Sequence, residues 1–314
     1  MPRGRHGPKP TKDWQTQANR MLGRRYLELG SRHAAKQSMG LSGNASTGKI
    51  HSRGTFAKYV SALKIAGEWI EKQFGVKRID AIKTEHAQAY LDHRQTEVGQ
   101  KQLDADRLAL RFCKNVGDLD RIKTDKTETK SGRAYTPKQI EMIAGRQAAR
   151  NALATRIAYS AGLRAHELQT LRRASEHPPS HHREWRVDRF TGRSGERYVV
   201  TGKGGLIREV MISHALARAL EARRLDEPRT IRDREIAYEL RYDIGGGAAW
   251  SQSVSATAKN ALGWSTGAHG VRHTYAQERM KELQGKGYTY PTAKLVLSQE
   301  LGHFREDVVN AYLR

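Results

Sequence analysis

Apolar residues recur at intervals of three and four along the first third of the chain, which indicates amphipathic helices. The first and longest run starts at Thr55 and ends at Gly75, and its apolar members are Phe56, Tyr59, Val60, Leu63, Ile65, Ala66, Trp69, Ile70 and Phe74. A second run begins at Thr84, a residue type that caps helices, and a third covers roughly 100 to 115. This spacing predicts a small all-helical domain over residues 51 to 117.

The helical pattern stops in a polar stretch, 118 to 134, which has no periodicity and is interpreted as an interdomain linker. A new helix then begins at Thr136-Pro137-Lys138-Gln139. Thr and Gln at this spacing form a capping box, and Pro suits the first turn. A second domain is therefore expected over residues 135 to 314.

The pattern of this second domain is mostly helical, with short strands between the helices. Segments 185 to 190, 197 to 201 and 207 to 212 have strand composition and are separated by glycine-rich turns. They predict a small antiparallel sheet with Lys203 at a hairpin tip. Helices are expected at 213 to 225, 251 to 262, 270 to 283, 291 to 301 and 306 to 313. The predicted fold class is mainly α with a small antiparallel β-sheet (α+β).

The distribution of charge indicates the nature of the N-terminal segment and of the binding partner. Residues 1 to 50 contain ten Lys and Arg opposed by Asp13 and Glu28, which indicates a basic arm, with a short helix possible over 14 to 29. The whole chain has 56 Lys and Arg against 33 acidic residues, a net charge of +23. Such a field favours a polyanion, foremost nucleic acid, although charge that only maintains solubility remains an alternative.

Other classes are disfavoured by composition. The lone cysteine, Cys113, excludes an internal disulfide framework and a cysteine-based zinc finger. No run approaches the ~18 to 20 apolar residues of a membrane span, and no signal peptide is evident, so we expect a cytoplasmic, nucleoid-associated protein without membrane contact. His177, His181 and His182 lie in a Pro-rich loop context without cysteine, and no metal site is predicted there.

The candidate chemistry begins at Arg164, which follows an Ala-Gly helix end in Ala161-Gly-Leu-Arg-Ala-His-Glu-Leu. Glu167 is close enough along the chain to orient that region. Further on, His269 and Arg272 lie three residues apart on one helical face, where both can meet one phosphate. His273 is expected to point elsewhere on the wheel and to have a structural role.

Two more candidates stand near the C-terminus. Leu301-Gly302-His303 offers a helix stop followed by a histidine, and Tyr312 lies nine residues further on. A tyrosine hydroxyl can attack phosphorus and leave a covalent ester. Taken singly, each of these residues is also explained by ordinary packing or surface roles.

Together these segments resemble the successive active-site boxes of the tyrosine recombinase, or phage integrase, family. The boxes stand in the family's order, and Thr201-Gly-Lys-Gly-Gly-Leu-Ile-Arg-Glu-Val supplies the one that contains Lys203. The resemblance covers roughly 135 to 314, and the helices before it are similar to the family's core-binding domain. It implies a two-domain DNA clamp, with a helical core-binding domain facing the catalytic domain across the duplex.

The resemblance also implies roles for six residues. Arg164 and Arg272 would be the arginine pair, Lys203 the hairpin lysine, His269 and His303 the two histidine positions, and Tyr312 the nucleophile. Two guanidiniums can offset the charge of the phosphoryl transition state without a metal. A phosphotyrosyl ester conserves the energy of the diester, so rejoining requires neither ATP nor a cofactor.

The function implied is a site-specific recombinase, the integrase of a mobile genetic element, acting on double-stranded DNA. A homo-oligomer on DNA is expected, a tetramer in the synapse, with a possible directionality factor or host DNA-bending protein. Only Leu313 and Arg314 follow Tyr312, so assembly through a C-terminal tail is not expected, and the basic arm is a candidate for protomer or accessory-site contacts. The alternatives are a type IB topoisomerase-like enzyme and a non-catalytic DNA-binding or architectural protein.

Overall fold

A computed structural model describes residues 13 to 30, 32 to 42, 45 to 127, 131 to 202, 204 to 234 and 236 to 314. The chain folds as two compact units that divide between Thr129 and Lys130. This division falls inside the stretch that the sequence predicts to be a linker. Each unit has its own hydrophobic core. No helix in the described part of the chain is long and apolar enough to cross a membrane.

The first unit is helical. Its α-helices are α1 (Trp14–Arg25), α2 (Arg32–Ser38), α3 (Arg53–Phe74), α4 (Thr84–Arg94) and α5 (Gln100–Leu110). The core forms where α1, α4 and α5 pack on the long helix α3. Gly75 ends α3 in the left-handed conformation, with φ of 70°, as its position after the apolar run predicts.

Helix α1 corrects the expectation of an arm that is separate as far as residue 50. Trp14, Ala18 and Leu22 are buried in the same core as α3, because they recur at four-residue intervals on one face of α1. The Trp14 indole donates to Glu71 Oε2 at 2.7 Å. Residues 14 to 25 are thus part of the helical unit, and residues 1 to 12 of the predicted arm lie outside the described residues.

The second unit combines helices with two small antiparallel sheets, so the predicted α+β class is confirmed. Its α-helices are α6 (Pro137–Gly145), α7 (Ala149–Ala161), α8 (His214–Glu221), α9 (Gly247–Leu262), α10 (His269–Gly285) and α11 (Tyr290–Glu300). Its strands are β1 (Arg172–Arg173), β2 (Glu196–Thr201), β3 (Ile207–Ile212), β4 (Arg224–Asp233) and β5 (Ile236–Tyr242). The predicted capping box at Thr136 and Gln139 is present at the start of α6.

The sheet order β1-β2-β3 differs in one strand from the sequence prediction. Strands β2 and β3 form the expected hairpin, in which Thr201 pairs with Ile207. The predicted strand at 185 to 190 is wrong, because this segment forms turns. There the Arg189 guanidinium stacks on the Trp185 ring at 4.5 Å, and Phe190 takes a left-handed φ of 66° while its N–H donates to Glu300. These tertiary contacts override the local strand composition.

The hairpin of β4 and β5 was not predicted. Strand β4 is largely exposed and rich in charged residues, so it lacks the alternation that marks a half-buried strand. Pro228 lies in the irregular stretch between Arg224 and Arg229, where the pairing register shifts. The predicted last helix is also different, since Glu306–Ala311 is a 3-10 helix.

Packing of α1 on α3 predicts an effect of one added methyl group. A Cβ at Gly67 would lie 2.3 Å from the Trp14 ring. We expect Gly67→Ala to lower the free energy of unfolding by about 1–3 kcal/mol, since the ring or the helix must shift. Urea denaturation of the full chain measures this change.

Gly54→Ala on the same helix is the matched control, because nothing lies within 4 Å of its added Cβ. This variant should unfold at the wild-type urea concentration or slightly above it. Equal midpoints for Gly67→Ala and Gly54→Ala would contradict the packing of α1 against α3.

Candidate functional site

A buried carboxylate, that of Glu167, lies at the centre of the candidate site. Helix α7 ends at Gly162, whose φ of 60° reverses the chain and whose added Cβ would lie 2.5 Å from the Tyr275 ring. The turn brings Arg164 next to Glu167, the first residue of a 3-10 helix, Glu167–Thr170. Glu167 Oε2 accepts from the Arg164 backbone N–H and Oε1 from the Arg164 guanidinium, both at 2.8 Å.

Two fully buried arginines from other elements complete the surroundings of this carboxylate. Arg208 of β3 donates to Glu167 Oε2 at 2.8 Å, and Arg272 of α10 lies 3.5 Å from the same oxygen. Burial alone would raise the pKa of Glu167, but the charges of Arg208, Arg272 and Arg164 hold it well below its ordinary value. The carboxylate is therefore ionised and neutralises part of a concentrated positive charge.

Arg272 is fixed by backbone carbonyls as well as by Glu167. Its two terminal nitrogens donate to the carbonyl oxygens of Gly162 and Leu301, which joins the end of α7 to the end of α11. Burial lowers the pKa of Arg272 to about 10, and the neighbouring charge of Arg164 acts in the same direction. At neutral pH the guanidinium is still charged.

The turn after α11 brings His303 to Arg164. Gly302 has a φ of 71°, and its added Cβ would lie 2.7 Å from Arg208 Cδ, so only glycine fits here without strain. The His303 backbone N–H donates to Ser298 at 2.7 Å, and its ring Nε2 lies 2.9 Å from Arg164 Nη2. In this pair His303 Nε2 accepts, because a guanidinium only donates.

Tyr312 directly follows the last 3-10 helix and is 6% exposed. The Arg272 guanidinium carbon lies 5.4 Å from the centre of the Tyr312 ring. Burial raises the pKa of the Tyr312 hydroxyl, but the charges of Arg272 and Arg164 outweigh burial and lower it below its ordinary value. The arginine pair thus favours the phenolate, which is the attacking form of a tyrosine nucleophile.

Three histidine rings face Tyr312. Ring centres of His269, His273 and His303 lie 5.6, 4.9 and 6.1 Å from that of Tyr312. Burial, and after it the charges of adjacent arginines, lower the pKa of each histidine to about 4. All three rings are consequently uncharged at neutral pH and able to accept or relay a proton.

The structure brings together Arg164, His269, Arg272, His303 and Tyr312, five of the six residues that the sequence singled out. The sixth, Lys203, lies outside the described residues. The expectation that His273 points elsewhere was wrong, because a residue four positions after His269 lies on nearly the same helical face. Among the described residues, no cluster of three or more His, Cys, Asp or Glu is arranged to hold a metal ion.

Arg208 was missed as a member of the site, although the sequence contained a signal for it. Strand β3 alternates, and Arg208 shares its buried face with Val210 and Ile212. An arginine on the apolar face of a strand requires a buried acidic or carbonyl partner. Arg208 has both, since it also donates to the Glu300 carbonyl at 2.6 Å.

Comparisons with known proteins identify the fold. No protein-family model and no curated protein sequence matches the chain. Among solved structures, the XerH site-specific recombinase bound to its difH substrate in a pre-cleavage complex is 15% identical. The match covers 98% of this chain and 94% of that one, with a TM-score of 0.53.

A lambda integrase dimer bound to a COC′ core site is similar at the same level. A truncated form of that protein gives 14% identity over 91% of this chain and 96% of that one, with a TM-score of 0.52. A longer form gives 15% identity, coverage of 95% and 80%, and a TM-score of 0.50. These neighbours are tyrosine recombinases, and the chain has their fold.

The low histidine pKa values predict that the protein loses stability in mild acid. A histidine with a pKa of about 4 when folded and 6.5 when unfolded is protonated first in the unfolded chain. Its stabilising contribution is complete above pH 6.5 and is lost as the pH falls towards 4. Removing one such histidine with His303→Asn should therefore reduce the slope of unfolding free energy against pH by up to about 1.4 kcal/mol per pH unit.

Urea denaturation at several pH values between 4 and 7 measures this slope. The control is His214→Asn, since the His214 side chain is exposed on α8, 53% of it to solvent. Identical slopes for the wild type and His303→Asn would show that His303 titrates alike in the folded and unfolded chain.

Proposed function

We propose that the protein is a site-specific DNA recombinase that cleaves and rejoins DNA through a covalent 3′-phosphotyrosyl intermediate. The observation that carries this proposal is the position of Tyr312, buried beside the arginine pair and three uncharged histidines. A tyrosine that only anchors a core does not need two guanidiniums next to its ring. The combination suits a nucleophile aimed at a bound phosphodiester.

The chemistry follows from the charge that develops during attack. The Tyr312 oxygen bonds to phosphorus, the bond from phosphorus to the 5′ oxygen breaks, and negative charge grows on the non-bridging oxygens. Arg164 and Arg272 offset that charge, and an uncharged histidine receives the tyrosine proton. Lys203 is proposed to protonate the departing 5′ oxygen. Rejoining reverses these steps, and the phosphotyrosyl ester supplies the energy that ATP would otherwise provide.

Double-stranded DNA is the proposed partner on two grounds. A net charge of +23 favours binding to phosphates, and the neighbours of similar fold are described as bound to DNA substrates. In this proposal the helical unit is the core-binding domain, and the second unit is the catalytic domain. Assembly as a homo-oligomer, a tetramer in the synapse, is part of this proposal, as is the origin in a mobile element.

Substitution of the nucleophile tests the chemistry directly. A nicked suicide duplex carrying the sequence that flanks the gene should trap a covalent protein–DNA complex with the wild type. Tyr312→Phe should abolish that complex while leaving DNA binding unchanged, because only the attacking oxygen is lost. Denaturing gel electrophoresis detects the covalent complex. Binding of each variant to a labelled duplex is measured separately under native conditions.

Tyr290→Phe is the matched control, since Tyr290 is an exposed tyrosine of the same unit. This variant should form the complex at the wild-type rate. A covalent complex formed by Tyr312→Phe would refute the assignment of the nucleophile. Strand exchange between two duplexes distinguishes a recombinase from a topoisomerase, which would only relax supercoils, and absence of any complex would favour a non-catalytic DNA-binding protein.

The arginine pair gives a second prediction. Arg164→Ala should slow single-turnover cleavage by about 10²- to 10³-fold, because one donor to the transition-state oxyanion is removed. Arg164 suits this test because 22% of its side chain is exposed and the fully buried Arg272 still holds the site together. An unchanged cleavage rate would show that Arg164 makes no contact with the reacting phosphate.

A further inference from the structure

One face of α10 runs along the segment that contains Tyr312. His269, His273 and Gln277 follow one another at intervals of four residues, so they lie one turn apart on this face. The first two face the Tyr312 ring. The Gln277 amide donates to the carbonyl oxygens of Tyr312 at 3.3 Å and of Arg314 at 2.7 Å. The nucleophile and the backbone that follows it are thus held by a single helix.

His273 has the closest ring contact with Tyr312 among the three histidines. The two ring centres are 4.9 Å apart and the planes are inclined by 47°. The His273 side chain is buried, with 5% of its surface exposed, and its Nδ1 has no hydrogen-bond partner.

The charged groups near His273 come from three parts of the second unit. They are Arg133 at the start of the unit, Arg272 on α10 and Arg314 after Tyr312, and the ring of His269 lies 5.2 Å away. Burial, and after it the charge of Arg133, lower the pKa of His273 to about 4. A hydrogen bond with the Tyr312 backbone opposes this lowering. At neutral pH the ring therefore meets Tyr312 as an uncharged, flat surface.

We propose that His273 is a positioning residue for the nucleophile, whose ring keeps the Tyr312 phenol against Arg272 and Arg164 while Gln277 fixes the backbone behind it. This inference rests on the proposed function, because it assigns a role in the attack of Tyr312 on phosphorus. His273 acts by shape and not by taking the proton. Without its ring the phenol gains freedom to rotate away from the arginines, and a displacement of about 1 Å costs on the order of 10²-fold in rate.

Two substitutions separate shape from proton transfer. His273→Ala removes the ring, whereas His273→Phe keeps a flat ring without nitrogen atoms. With the nicked suicide duplex that carries the sequence flanking the gene, His273→Ala should slow single-turnover cleavage on the order of 10- to 100-fold. His273→Phe should recover most of that loss, and DNA affinity should be the same in both variants.

His214→Ala serves as the control for removal of a histidine ring, because His214 contacts Ser194 and Glu196 and not Tyr312. It should cleave at the wild-type rate. If His273→Phe were as slow as His273→Ala, a ring nitrogen would be required and the positioning role would be wrong. Wild-type cleavage by His273→Ala would also overturn it.

The pH profile adds a readout that simple loss of stability would not move. The charged and titratable groups around Tyr312 are Arg272, His269 and His273 on α10, Arg164 after α7 and His303 after α11. Because the two arginines lower the Tyr312 pKa, a phenol that leaves them ionises at higher pH. The rise of the cleavage rate with pH, which follows ionisation of the attacking phenol, should therefore shift to higher pH in His273→Ala and stay in place in His273→Phe.

A titration without DNA distinguishes failure of this inference from failure of the proposed function. Tyrosinate absorbance is followed against pH, and the same protein carrying Tyr312→Phe is subtracted to isolate the signal of Tyr312. A higher Tyr312 pKa in His273→Ala supports the positioning role even if the wild type cleaves no duplex, which would refute only the proposed function. An unchanged Tyr312 pKa would refute the positioning role even if cleavage is observed.

Discussion

The ionised carboxylate of Glu167, buried among three arginines, is the interaction on which the candidate site depends. Each arginine comes from a different element: Arg164 from the turn after α7, Arg208 from β3 and Arg272 from α10. Three cations within one buried cluster repel one another, and without an anion the desolvation of these charges would be prohibitive. Glu167 therefore determines where the sheet, the helix and the turn meet.

A second buried carboxylate, Glu300, adjoins the same site. It lies at the C-terminal end of α11, where the helix dipole disfavours negative charge. The buried Arg279 guanidinium forms an ion pair with Glu300 at 2.9 Å, and Tyr275 and the Phe190 N–H donate to it. Because the Glu300 carbonyl also accepts from Arg208, the two acidic groups belong to one connected network.

The sequence alone predicts the helical periodicity, the capping box at Thr136 and five residues that converge in space. These were predictable because they depend on local spacing or on short motifs. The turn at 185 to 190 and the exposed hairpin of β4 and β5 were not, since stacking of Arg189 and pairing along a charged strand are properties of the folded chain. The place of His273 beside Tyr312 follows from helical geometry, because a residue four positions after His269 lies on nearly the same helical face. The roles of the six residues stay predictions.

The two arginines of the pair differ in how much freedom their surroundings leave them. Arg272 has no exposed surface and spans two carbonyl oxygens, so its guanidinium is a fixed part of the scaffold. Arg164 is partly exposed, and one of its terminal nitrogens contacts the ring of His303. An incoming anion can replace that imidazole as acceptor without disturbing the carboxylate below. Arg272 is thus held rigidly, whereas the Arg164 side chain has room to adjust its position to a bound anion.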